Sequence, residues 1–179
     1  NTTAPNNTAV GFSCLGANTT GTQNTGLGAY TFEDNTTGGQ NTGLGYFALG
    51  NNTTASNNTA VGYAALSTNT TGASNTAVGS LALNANTDGI FNVAFGKDAL
   101  LSNTSGSYNS AFGTFAMDAS TGSYNTAIGY GTLSATTSAN NNTAVGYLAL
   151  LTNTTGHSSV AVGTVALAVS YTHLRAHET

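Results

Sequence analysis

One unit of 17 residues recurs ten times along this chain, and every copy carries glycine at the same place. The copies open at Asn7, Asn24, Asn41, Asn58, Asn75, Asn92, Asn109, Asn125, Asn142 and Ser159, each on a version of Asn-Thr-Ala-Val-Gly. Of the nine steps between them, eight are 17 residues and one, Asn109 to Asn125, is 16. So short a fixed period means stacked copies of one small unit, each contacting its neighbours, and not a globule built around one cleft.

With the leading Asn as position 1, the columns read as follows. Position 3 is Ala or Gly. Position 4 is always apolar and position 9 always large and apolar. These two columns are the expected core rows: Val10, Leu27, Leu44, Val61, Val78 and Val145 from the first, and Leu15, Leu49, Leu66, Leu83 and Leu150 from the second. Small residues at positions 3 and 8 leave room for them; Cys14 stands where most copies have Ala. Position 5 is invariably Gly: Gly11, Gly28, Gly45, Gly62, Gly79, Gly96, Gly113, Gly129, Gly146 and Gly163. It serves a positive φ at a corner or the close approach of another backbone. Asn-Thr-Thr-Gly at positions 12 to 15 is turn chemistry. Two runs of about five residues between turn signals read as strands. The second run, such as residues 63–67, has a single helical turn as its alternative, because Ala and Leu favour helix.

The fold expected is all-β: a repeat solenoid, a parallel β-roll or β-helix of ten rungs over residues 1–168. Strand spacing makes that a rod on the order of 48 Å long. Asn above Asn and Thr above Thr are placed to bond in ladders along the axis. Two large side chains per rung make a thin interior, which invites chains to pool their apolar rows. Residues 169–179 have no Gly or Asn column. They resemble translated sequencing-adapter read-through and are set aside as a scar. The chain does not begin with Met and reads as a piece of something longer.

Composition excludes several functions. Charged residues are 4% of the chain, against about a quarter in ordinary proteins. Lys97 and Arg175 are the only basic side chains, too few to neutralise nucleic-acid phosphates. Columns of Val and Leu kept in register argue against disorder. A single cysteine excludes an internal disulfide,. No apolar run is long enough to cross a membrane.

No cofactor, metal or catalytic set is expected. His173 and His177 are four apart but fall in the scar, and His157 occupies a variable turn position. Glu33-Asp34 and Lys97-Asp98 lie in variable columns, and scattered acids offer no carboxylate pair for hydrolysis. The Gly-Leu-Gly of residues 26–28 is repeat positions 3 to 5 and lacks the lysine of a phosphate loop,. Asn-x-Thr triplets such as Asn18-Thr19-Thr20 follow from composition. The one candidate contact surface is an aromatic row at position 6, namely Phe12, Tyr46, Tyr63, Tyr130 and Tyr147. Tyr is suited both to packing at a subunit interface and to stacking on sugars; packing is the favoured use.

Asn58-Thr59-Ala60-Val61-Gly62-Tyr63 and Asn142-Thr143-Ala144-Val145-Gly146-Tyr147 resemble the YadA-like head repeats of trimeric autotransporter adhesins. They are at least as similar to repeats of bacteriophage tail-fibre proteins. The resemblance spans residues 1 to about 168 and implies a left-handed β-roll, usually a homotrimer, on a cell or virion surface. It implies a structural or adhesive role, with a host-surface protein or glycan as ligand. The adhesin heads differ in having shorter repeats, richer in Ser, and no receptor-contact residue carries over. An ice-binding solenoid is the alternative, suggested by Thr at positions 2, 13 and 14, although no Thr-x-Thr strand occurs.

Overall fold

A computed structural model describes residues 4–135 and 137–168. Each rung contributes one three-residue strand: β1 (Thr8–Val10), β2 (Thr25–Leu27), β3 (Thr42–Leu44), β4 (Thr59–Val61), β5 (Thr76–Val78), β6 (Val93–Phe95), β7 (Ser110–Phe112), β8 (Thr126–Ile128), β9 (Thr143–Val145) and β10 (Val160–Val162). They form one parallel sheet in the order β1 to β10. The register is repeat on repeat, with Thr59 opposite Thr76, Ala60 opposite Ala77 and Val61 opposite Val78. The fold is an all-β solenoid. The tail, residues 169–179, lies outside the described residues, and with it the His173–His177 pair.

The strands begin and end where two residues fix the chain. At the start, each position-1 Asn from Asn24 to Asn142 is buried and its backbone N–H donates to the side-chain oxygen of the Asn one rung back, as from Asn58 to Asn41 Oδ1 at 2.9 Å. The Asn58 amide also donates to the Gly72 carbonyl at 2.9 Å and so ties the strand to the end of its own rung. At the other end stands Gly62, with φ at +133°. A Cβ built there would lie 2.5 Å from the Gly79 carbonyl oxygen of the next rung. Both uses foreseen for this glycine, positive φ and close approach, act together.

One of the two expected core rows faces outward. Strand side chains alternate between faces. With position 1 anchored inside, position 3 also points in and positions 2 and 4 point out. Ala60, Ala77 and Ala94 are fully buried, whereas Val10 is 56% exposed and Leu27 51%. Leu44, Val61, Val78 and Val145 are partly exposed. The position-9 column does fill the interior: Leu49, Leu66, Leu83, Leu100, Met117, Leu133 and Leu150 are buried, with Leu15 nearly so. The core is therefore one large side chain per rung, flanked by alanines and two columns of buried Asn.

Side-chain size is matched between rungs. Phe32 is the largest residue of the position-9 column, and the two rungs it touches have Gly at position 3 where most have Ala. A Cβ on Gly43 would meet Phe32 Cε2 at 2.8 Å and Thr31 Cγ2 at 2.6 Å. A Cβ on Gly26 would meet Phe32 Cδ2 at 3.3 Å and Cys14 Sγ at 2.5 Å.

The second run of each rung is neither strand nor helical turn. Positions 7 and 9 take left-handed φ, for example 49° at Ala64 and 52° at Leu66. The run folds into tight turns: the Ala82 N–H reaches the Gly79 carbonyl at 3.3 Å, and the Asn86 N–H reaches the Leu83 carbonyl at 3.3 Å. Donors between them go to neighbouring rungs. Leu81 N–H bonds back to Tyr63 at 2.9 Å, and Leu83 N–H bonds forward to Ala99 at 2.8 Å. The backbone is thus satisfied without a second sheet, as a buried segment requires.

Asn at position 12 supplies the second ladder. Asn35, Asn52, Asn69, Asn86 and Asn103 each donate to the side-chain oxygen of the Asn below at 2.8–3.1 Å. Each also holds the position-15 carbonyl of its own turn, as from Asn69 to Gly72 at 2.8 Å. In the first five rungs the position-13 hydroxyls bond to the next rung's carbonyl, not to each other, as from Thr36 to Thr53 at 3.0 Å.

Candidate interaction surface

The outward positions 2 and 4 and the corner positions 6 and 17 build the molecule's apolar exterior. Position 4 runs its whole length from Val10 to Val162, which is 70% exposed. Gly at position 5 bends the chain, so position 6 lies beside it on the next face. The sequence-derived row there is exposed throughout: Phe12 72%, Tyr46 50%, Tyr63 57%, Tyr130 48% and Tyr147 52%. Its members come together in two groups. Tyr46 and Tyr63 stack with centroids 5.7 Å apart and planes 8° from parallel. Tyr130 and Tyr147 stack at 5.6 Å and 16°. Tyr30, from position 7, fills the gap left by Ala29 and meets Phe12 at 5.4 Å and Tyr46 at 5.6 Å, both edge-on. Ser80, Lys97 and Thr114 separate the groups.

Sequence reading missed a second row. Phe91, Tyr108 and Tyr124 occupy position 17 of three successive rungs, exposed and stacked at 5.2 Å and 5.0 Å. Phe95 and Phe112 pair at 6.4 Å on position 4 of the same region. The signal was present in the position-17 column, where amide and hydroxyl residues give way to aromatics at these rungs.

Ring orientation bears on what such a surface recognises. A sugar stacks on an aromatic face. Rings stacked on one another along the axis turn their faces to each other and their edges outward, so their apolar perimeter suits packing against another protein.

Charge contributes little. Lys97 pairs with Asp98 and lies 5.0 Å above the Phe115 ring. Asp98 is buried at position 7, and its Oδ1 has no partner. His157 Nδ1 accepts the Asn140 N–H at 2.9 Å, joining a column of position-16 acceptors that includes Ser56 and Ser107. Burial pushes the Cys14 thiol above its ordinary range, with a backbone hydrogen bond at Val10 opposing. Among the described residues, no group of three metal-ligating side chains assembles and no pocket forms. Asn18, Asn35, Asn52, Asn69 and Asn103, which head Asn-x-Thr/Ser triplets, are buried in the ladder and not presented to solvent.

No protein-family model, curated protein or solved structure matches the chain.

Proposed function

We propose that this chain is a structural segment of a fibre on a cell or virion surface. It associates with further copies of itself along the position-4 face, as a homotrimer, and any adhesion arises from repeated weak contacts whose avidity multiplies. One observation carries the reading. Position 4 points outward, yet it is apolar in all ten rungs. A side chain facing only water has no reason to hold that character while positions 6, 7, 10 and 16 drift freely. Covering a half-exposed Val or Leu contributes about 1 kcal/mol, and the contribution recurs at each rung.

The occupant of such a face must match it rung for rung. A partner that meets every rung equivalently must itself repeat at the strand spacing of about 4.8 Å, and a second copy of this chain does. The edge-out stacks of Tyr46–Tyr63 and Tyr130–Tyr147 border the same face and extend the apolar contact.

Ice is the other periodic partner. Across the first five rungs the outer sheet face is a regular array of hydroxyl and methyl groups: Thr8, Thr25, Thr42, Thr59 and Thr76 beside Val10, Leu27, Leu44, Val61 and Val78. The next two rungs interrupt it with Val93 and Phe95, then Ser110 and Phe112. An interface between copies tolerates that change in shape; a crystal lattice does not, which favours self-association.

Light scattering on residues 1–168 tests the proposal. A mass three times that of the chain supports it. A monomer that halts ice growth and shapes crystals at micromolar concentration sinks it in favour of the ice-binding reading.

A further inference from the structure

We infer that the solenoid contains a one-sided hinge between its sixth rung, residues 92–108, and its seventh, residues 109–124. The Asn-Thr turn of this junction, positions 12 to 15, is free to open, while positions 16 and 17 and the sheet side stay closed: Ser107 N–H still meets Ser123 Oγ, and Tyr124 N–H the Ser107 carbonyl, both at 3.0 Å.

At positions 12 and 13 of the turn, an ordinary junction is held by three bonds. Between the second and third rungs they are Thr36 N–H to the Thr53 carbonyl at 2.9 Å, Thr36 Oγ1 to the same oxygen at 3.0 Å, and Asn52 Nδ2 to Asn35 Oδ1 at 2.8 Å. The same set joins each successive pair from the first rung to the sixth. At the junction of the sixth and seventh rungs none of the three is made. Thr104 sends neither its N–H nor its hydroxyl to Thr121. Ser120 stands where Asn would be and has no amide for Asn103. The threonine bonds resume one rung later, where Thr121 N–H meets the Thr137 carbonyl at 2.7 Å and Thr121 Oγ1 meets it at 2.6 Å.

The cause is legible in the chain. The seventh rung is the 16-residue rung, and the residue it lacks is position 14, between Thr121 and Gly122. The shortened turn shifts the Thr121 carbonyl, which stands 2.8 Å from where a Gly106 Cβ would be. Two polar atoms are stranded by the change: Asn103 Oδ1 and Ser120 Oγ are buried without a partner. A buried polar group left unsatisfied is costly. Opening the turn hydrates both, so here opening relieves a penalty that the same turns of the five junctions before it do not carry.

The opposite side is intact and braced. β6 and β7 pair in full register. Asn109 N–H keeps its bond to Asn92 Oδ1 at 3.0 Å, and Leu100 N–H keeps its bond to Ala116 at 3.0 Å. The Tyr108–Tyr124 and Phe95–Phe112 stacks cross this same junction on the outer face. A seam closed on one side and open on the other is a hinge, and it divides the rod into six rungs and four.

Residue-resolved hydrogen exchange on the full chain tests this. The Thr104 and Ser105 amides are expected to exchange roughly tenfold or more faster than Thr87 and Asp88, their counterparts one rung earlier. A repaired chain, with Ser120→Asn and one threonine inserted between Thr121 and Gly122, is expected to erase the difference. Equal protection in the original chain overturns the hinge, as does an unchanged difference in a folded repaired chain. Should the repaired chain not fold, spin-label distances decide, in a Cys14→Ala background. A turn-side pair, Thr54→Cys with Thr155→Cys, both exposed at position 14, must give a broader distribution than the sheet-side pair Thr42→Cys with Thr143→Cys. Equal widths overturn the proposal.

Discussion

Single residues in this solenoid are chosen against their own backbone preference. Leu66, Leu83 and Leu100 sit at φ near +52°, a conformation that costs an L-residue about 1–2 kcal/mol. Propensity alone argues against such a placement, which is why the run read as strand. The cost is offset because each of these leucines is wholly buried and its N–H bonds to the next rung. Where burial gives no return, glycine is the better occupant. Ser74, at position 17, has φ 59° and makes little use of its side chain. Ser74→Gly is expected to raise stability by about 0.5–1 kcal/mol, the relieved strain minus the glycine entropy, read as a higher midpoint in urea. The Phe32 site gives the opposite sign. Gly43→Ala drives a methyl into Phe32 and Thr31 and is expected to cost about 1–3 kcal/mol. Adding Thr31→Ala and Phe32→Leu recreates the set found at Ala65 and Leu66 with Ala77 of the following rung. Most of the loss should then return, and if the loss persists in the triple variant, the steric account of Gly43 is wrong.

At the scale of the rung, the period, the invariant glycine, the turn at positions 12 to 15 and the buried position-9 column were all legible in sequence, because each rests on a residue type with few uses. The direction of position 4 was not. Apolar character marks both a core and a covered outer face, and Val61 reads the same in either. What separates them is the inward Asn58, whose buried ladder sets the alternation that follows; from sequence, that Asn was one polar residue among many. This makes the Asn columns the determinant of the rung's geometry, and they are open to test. Asn69→Ala leaves the buried Asn52 Oδ1 without its donor, at about 1–3 kcal/mol, and removes one of the two donors to the Gly72 carbonyl, which keeps the Asn58 amide. Thermal unfolding should show a loss of that size, larger than for Thr71→Ala on the exposed side of the same turn. Equal, small losses would mean that the ladder is ornamental.

For the whole molecule, the two apolar columns make separable predictions because one is inside the rung and the other outside. Leu66→Ala opens the interior. It should cost about 2–5 kcal/mol whether or not chains associate, and it should weaken a monomer as much as an assembly. Val61→Glu and Val78→Glu together place charge on the outer sheet face, where a single rod leaves both side chains partly in water. Within one chain that change is mild. Within an interface it sets like charges from every copy against one another in a site dried by association, where an unpaired charge is expensive. The double variant should therefore keep the circular dichroism of the original and fall to the mass of one chain by light scattering. Because association stabilises by mass action, the original chain's melting temperature should rise with concentration and that of the variant should not. A variant that keeps the original mass would place the contact elsewhere on the rod, and the position-17 row of Phe91, Tyr108 and Tyr124 would be the next face to charge.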